Sequence, residues 1–560
     1  MRGSHSSPCC KLFACDEHTP WVRLPRSVTF SSGHKLKRKF KLLIGAICRS
    51  LLKAERHTAT VAFGALCLTA SPALLADTLI INARIIDGTG SGAVVGSVRL
   101  KDDRITAVGK LTQNESDDVI DAGGLVLAPG FIDTHSHSDR LILTERDALA
   151  KIAQGITTAV VGQDGDAPHP LADFFGALEA TPPKVNIAAY AGHNTLRDAV
   201  MGADFRRAAN DDEIKAMAAL LEGELAAGAL GLSTGLEYEP GIHSETREVV
   251  QLAQLTADAG GRYISHIRSE DRWFDDALEE IIQIGRATGM PVQISHLKVA
   301  MASQWGRAPW VIERLNAARQ EGIDLTADIY PYTYWQSHMM VLLPERDPLD
   351  LDAIDFVMAE LAPPDGIIFT HFPAEPDYVG MTLTEVAAAR EQRPAEAFSA
   401  LAQMSIAHED ATGEMGDMMI GTSMRDDDIA AFIAWPHANI CTDGSLRDRH
   451  PRGAGSFPRV LARYVRERGV LSLESAIHHM TGLSAQHMGF VERGVIAPGM
   501  MADLVLLNPD TVTDLATTSE PFTPSKGIHS VWVAGQRVLH EGAVSEAFPG
   551  RVIRRDSVQP

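Results

Sequence analysis

His135 and His137, in PGFIDTHSHSD, stand two residues apart on what reads as an extended segment, so their side chains leave the same face of the chain. Two imidazole Nε2 atoms so placed can share one divalent cation at about 2.0–2.1 Å. Histidines near turns are common, and the pair alone does not define a site. His266 closes the segment RYISH and His296 closes VQISH, one strand–helix unit further on. Either could be a core histidine with its hydrogen bonds satisfied. Asp443 closes NICTD, where an unpaired buried carboxylate would be costly. All five lie at the ends of successive apolar segments. Four imidazoles and a carboxylate converging on one place have little structural purpose without a metal ion.

The elements that would bring them together are legible as a rhythm. An amphipathic segment from Asp211 to Ala227 stops at Gly228 and leads into ALGLSTG. Glu245 to Ala259 stops at Gly260 before RYISH, Asp271 to Ala287 at Gly289 before VQISH, and Pro309 to Gln320 at Gly322 before DLTADIY. Helix, glycine stop and apolar strand, repeated, form the βα unit of a parallel sheet. With the strand into His135, TTAVV, VNIAAYAG and ANICTD there are eight strands, which close most economically into a TIM-like (β/α)8 barrel of the α/β class. In such a barrel the strand ends form the mouth where chemistry is placed. We place the barrel at 128–485, interrupted at about 335–430 by a segment that breaks the rhythm and reads as an insertion near the mouth. Residues 77–127 and 486–560 are rich in short strands and turns, and are expected to form one small β-sandwich from both ends of the chain.

Charge and cysteine divide the chain differently. Residues 1–76 hold 12 Lys/Arg against 3 Asp/Glu, so the formal charge of -21 leaves the rest of the chain at -30. So acidic a body argues against nucleic acid and anionic membrane as partners. Five of the six cysteines fall within the first 67 residues; only Cys441 lies beyond, so the body has no internal disulfide and no CxxC pair for zinc. A basic stretch from Lys35 to Arg56, then an apolar run to Ala76, is patterned as a secretory signal, with export to a periplasm or beyond as the expectation. The run is too short and interrupted for stable membrane insertion once the leader is removed. A nucleotide site is not expected, because the chain has neither a G-x-x-x-x-G-K run nor a Gly-rich fingerprint in a first βα unit.

An HxH on the first strand, histidines on the fifth and sixth and an aspartate on the eighth resemble the amidohydrolase superfamily. The resemblance narrows to the D-aminoacylase (N-acyl-D-amino-acid deacylase) family through QGITTAVVG, AGHNTLR, GLSTGLEYEPG, SHLK, DIYPYTY, CTDG, HPRGAGSFPRVL and PGMMADLVLLNP, over about residues 77–555. It implies zinc, one ion held tightly by Asp164, His266 and His296 and a second, weaker position at His135 and His137. Asp164, in GQDG, stands where the family's typical deacylase has a metal-binding cysteine. A carboxylate can replace a thiolate, but as a harder ligand it alters which metal is held and how tightly. The resemblance further implies Asp443 as the proton-transfer residue, and Tyr238, Lys298 and Arg452 as a grip on a substrate carboxylate. The strand ALGLSTGLEYEP lacks the lysine that bridges two metals in cyclic-amidase relatives, which disfavours those enzymes. The expected activity is hydrolysis of the amide of a small N-acyl-D-amino acid bearing a free carboxylate. Another metal-dependent amidase or dipeptidase is the alternative; a non-catalytic barrel would be expected to have lost ligands that are present here.

Overall fold

The computed structural model describes residues 77–557, apart from 448. The leader at 1–76 and its expected signal lie outside them.

Eight parallel strands form the centre: Phe131–Asp133, Ile156–Val161, Asn186–Ala189 continuing into Ala191–Gly192, Gly231–Gly235, Arg262–His266, Val292–Ile294, Leu325–Ile329 and Ala438–Ile440. Neighbours pair in this order. The circle returns to its first strand through the bridge between Ser136 and Gly444, where Asp443 N donates to His135 O at 2.9 Å. The interior is packed. Ile132, Val160, Ala188 and Ile264 from the first, second, third and fifth strands, and Leu230 just before the fourth, cluster with Ala485, Met488 and Phe490 from the last helix and the turn after it. Such layers hold the strands at fixed tilt, so their carboxyl ends keep a fixed spacing.

The helices begin and end for local reasons. Asn210 caps Asp211–Ala227 with a reciprocal Glu213 contact, and Gly228 ends it at φ 109°, a left-handed conformation that suits glycine. The other three expected helices are Thr246–Asp258, Phe274–Thr288 and Ala308–Gln320, each followed by its strand.

Two additions flank the barrel. Between Ile329 and Ala438 the strands Tyr334–Ser337, Met418–Thr422 and Ile367–His371 form an antiparallel sheet with Met418–Thr422 in the middle, accompanied by helices Leu351–Glu360, Leu383–Ala389 and Pro394–Thr412. The two ends of the chain meet in one nine-stranded network. Its junction is Val126–Pro129, antiparallel to Leu504–Leu507 and parallel to the end of Thr78–Ile85. Ile80, Val98, Leu100, Leu127, Leu504 and Trp532 fill its core. Among the described residues, no helix is long and apolar enough to cross a membrane.

Candidate metal centre at the barrel mouth

Each expected ligand sits at or just beyond a strand end. Three of them take the left-handed backbone that L-residues avoid: Asp164 at φ 55°, His296 at φ 33° and Asp443 at φ 48°. Such residues cost on the order of 1–3 kcal/mol each and persist where the surroundings over-determine them. Those surroundings are visible. Gly165 N donates to Ser233 Oγ at 2.9 Å, and His296 N to Asp328 Oδ1 at 2.7 Å. A Cβ on Gly235 would lie 2.0 Å from Asp164 O, so only glycine lets the fourth strand pass that turn.

The turned side chains converge. Asp164 Oδ1 lies 3.4 Å from His135 Nε2 and 3.4 Å from His296 Nε2, and Asp164 Oδ2 lies 3.4 Å from His137 Nε2. Asp443 Oδ1 approaches His135 Nε2 at 3.4 Å and His137 Nε2 at 3.2 Å. His266 Nδ1 faces His296 Nε2 at 3.0 Å. Two overlapping donor sets result, His135–His137–Asp164–Asp443 and Asp164–His266–His296, with Asp164 common to both.

The donors fit a divalent cation. Both ring nitrogens of His135 and Oδ1 of Asp164 are buried without a hydrogen-bond partner, a condition that costs about 1–3 kcal/mol per group unless something else binds them. Neutral imidazoles and carboxylates are the nitrogen and oxygen ligands that zinc accepts. The electrostatics agree. Burial opposes charge on His135, yet Asp164, Asp328 and Asp443 carry its pKa well above the usual imidazole range. Burial and Lys298 likewise oppose charge on His296, but Glu270, Asp164 and Asp443 raise it to about 9. Burial would raise the carboxyl of Asp443, and Arg452 with His296 and His135 holds it well below its ordinary range. The pocket is built for positive charge.

The expected substrate residues stand beside it. The Tyr238 and His266 ring centroids are 4.3 Å apart. Lys298 Nζ donates to Glu270 Oε1 at 2.5 Å, and Arg452 Nη1 to Asp443 Oδ2 at 2.5 Å. Both cations lie against the Tyr330 ring, at 5.8 and 4.8 Å from its centroid. All nine residues singled out in the sequence are thus brought to one mouth. Three more were missed: Glu237, Glu270 and Asp328. Glu237 follows a strand end and Glu270 lies four residues after His266, both positions that read as solvated loop. Asp328 interrupts the apolar strand LTADI, a signal that was available. His193 is bonded to Glu248 at 2.8 Å, and His371 to Met415 O at 3.2 Å, so neither joins the cluster. Gln336 is half-buried on the first strand of the insertion, with Oε1 unpartnered.

The sequence model of the amidohydrolase family matches residues 118–539, spanning the whole barrel. The chain is an amidohydrolase. This amidohydrolase is 36% identical over 507 residues to a D-aminoacylase of Alcaligenes xylosoxydans xylosoxydans, covering 86% of this chain and 98% of the relative. It is 35% identical over 505 residues to an N-acyl-D-glutamate deacylase of the same organism, covering 86% and 97%. Those lengths place the amidohydrolase within the D-aminoacylase family. Among solved structures, the N-acyl-D-glutamate deacylase of Bordetella bronchiseptica, complexed with zinc and a phosphonate mimic of the tetrahedral intermediate, superposes with a TM-score of 0.76. It is 36% identical, with 85% of this chain and 99% of that one covered.

Proposed function

We propose that this amidohydrolase hydrolyses N-acyl-D-amino acids to a carboxylate and a free D-amino acid. Zinc is the metal, held tightly by Asp164, His266 and His296, with a second, weaker position at His135 and His137. The observation that carries the reading is the shared Asp164 between two donor sets, one of which includes Asp443, with Arg452 on Asp443. Zinc, when bound, polarises the amide carbonyl and makes water a better nucleophile near neutral pH.

The chain supplies the rest. Asp443 accepts the proton of the attacking water and delivers it to the amine nitrogen as the C–N bond breaks. Arg452, 2.5 Å away, holds the group as the carboxylate, the form that can accept a proton. Arg452 and Lys298 grip the substrate carboxylate, the guanidinium in a bidentate fork. In a body of strongly negative charge these two cations, stacked on Tyr330, give an anionic substrate its local attraction. Tyr238, packed on His266, lines the same space.

The test is a hydrolysis screen of paired N-acetyl-D- and N-acetyl-L-amino acids on zinc-loaded protein, following amine release. Turnover of the D series with little of the L series is expected. Equal rates on both overturn the stereochemical reading, and turnover of dipeptides alone assigns the barrel to peptide cleavage. We also propose export, on the basic-then-apolar pattern ending near Ala76; mature protein isolated with that segment intact would overturn it.

A further inference from the structure

The two histidines of the tight site differ in which ring nitrogen they turn inward. His266 turns Nδ1 toward His296, at 3.0 Å, and its Nε2 lies 2.8 Å from Glu237 Oε2. His296 turns Nε2 inward, 3.4 Å from Asp164 Oδ1, and its Nδ1 lies 2.9 Å from Glu270 Oε1. Behind each ring stands one partly buried glutamate.

We infer that Glu237 and Glu270 are positioning residues. Each accepts the outer N–H of one histidine, fixing its tautomer so that His266 offers Nδ1, and His296 Nε2, to the metal. The inference rests on the metal reading above and adds the residues that make it work. A ring nitrogen binds metal only through its lone pair, so the proton must sit on the other nitrogen, and a carboxylate there holds it.

For His296 the choice is sharp. Lys298 Nζ lies 2.8 Å from the same Nδ1. Were the ammonium to donate to that nitrogen, the ring proton would move to Nε2 and the inward face would be closed to metal. Glu270 Oε1 prevents this by accepting from both, Lys298 at 2.5 Å and the ring at 2.9 Å. Glu270 therefore joins a metal ligand to a cation of the substrate grip. Among the described residues Glu237 has no such second partner. Its backbone carbonyl is instead tied down by Arg346 Nη2 at 2.5 Å, and Arg346 also donates to the carbonyls of Met340, Val341 and Leu343 in the insertion. The insertion thus fixes the loop from which Glu237 reaches His266.

The two glutamates should separate in a single set of measurements. Zinc affinity is read by competition with a chromophoric chelator, and KM and kcat are read at saturating zinc, with melting temperature as the check on folding. E237A should bind zinc about 10–100-fold more weakly and keep its KM. E237Q, whose amide oxygen still accepts the N–H, should lose much less. E270A should lose zinc affinity and raise KM together, because His296 and Lys298 both lose their acceptor. Should E237A fail to fold, E237D, with its shorter reach, must show the same loss of zinc. Parental zinc affinity in the folded alanine or aspartate variant overturns the inference, as does a zinc-loaded crystal structure with His266 bound through Nε2. A parent protein that binds zinc but turns over no N-acyl-D-amino acid overturns the proposed substrate and leaves this inference standing; a parent that binds no zinc overturns both.

Discussion

Two groups of buried histidines in this protein answer burial in opposite ways. His479 and His487, on the helices Leu473–Met480 and Gly482–Met488, are pushed down to about 4 and about 3 by burial and neighbouring positive charge. At the mouth, His135, His137 and His296 lie above the ordinary imidazole range although burial opposes it there too. The difference is the carboxylates. Around the mouth histidines stand Asp164, Asp443, Asp328 and Glu270, whereas His487 meets the neutral amide of Asn439, its Nδ1 2.6 Å from Oδ1. A buried histidine is by default neutral and structural; a ring of buried carboxylates turns the same residue into part of a cation site.

The strongest way to break this comparison is to remove the cation. Stripping with a chelator should abolish turnover, and zinc should restore it, because without metal the attacking water has the acidity of bulk water. Full activity in protein shown by elemental analysis to be metal-free ends the mechanism. Next in size is Asp443. Asp443→Asn keeps the shape and removes the proton acceptor, so kcat should fall by roughly 10²–10⁴-fold with zinc content unchanged. Near-normal kcat in that variant would move the role to another residue.

Asp164 sharpens the comparison further, since it belongs to both donor sets. Asp164→Ala should lower zinc content after dialysis as well as rate, because two histidines alone are a poor zinc site. Asp164→Cys should retain zinc, the thiolate being the softer ligand. An alanine variant with its full complement of zinc would reduce Asp164 to a turn residue held at positive φ.

Much of this was legible in the sequence, for a physical reason. The helix–glycine–strand rhythm is local, and Gly228 and Gly289 mark helix ends because a left-handed residue is needed there. His266 and His296 stood out only together with His135, His137 and Asp443, all five at the ends of apolar strands. The union of Val126–Pro129 with Leu504–Leu507 depends on contacts between the two ends of the chain; strand texture suggested it, but the register could not be read. The insertion was visible only as a loss of rhythm, since Tyr334–Ser337 is mixed in burial and pairs with distant Met418–Thr422. Glu237 and Glu270 were invisible for another reason. A glutamate after a strand is ordinarily solvated, and only the structure shows one turned back onto a histidine.

The smallest effect tests the other half of the comparison, the histidines that have no carboxylates. His487 has a folded pKa of about 3, against ~6.5 in an unfolded chain. Its folded pKa is depressed, so the unfolded state binds the proton first. The stability it confers is complete above ~6.5 and is lost as pH falls from there toward about 3. One such group lowers unfolding stability by up to ~1.4 kcal/mol for each pH unit inside that window. The metal ligands also take up protons on acidification, so the measurement must be a difference between two proteins that share them. His487→Gln supplies it: the amide can donate to Asn439 Oδ1 but cannot titrate. Urea midpoints of the parent and H487Q, followed from pH 7 to pH 5, should diverge, the parent losing stability faster. At pH 7 the variant should keep full zinc content and kcat, because His487 stands apart from the mouth. Parallel curves would show that His487 titrates normally and that burial alone does not hold it neutral.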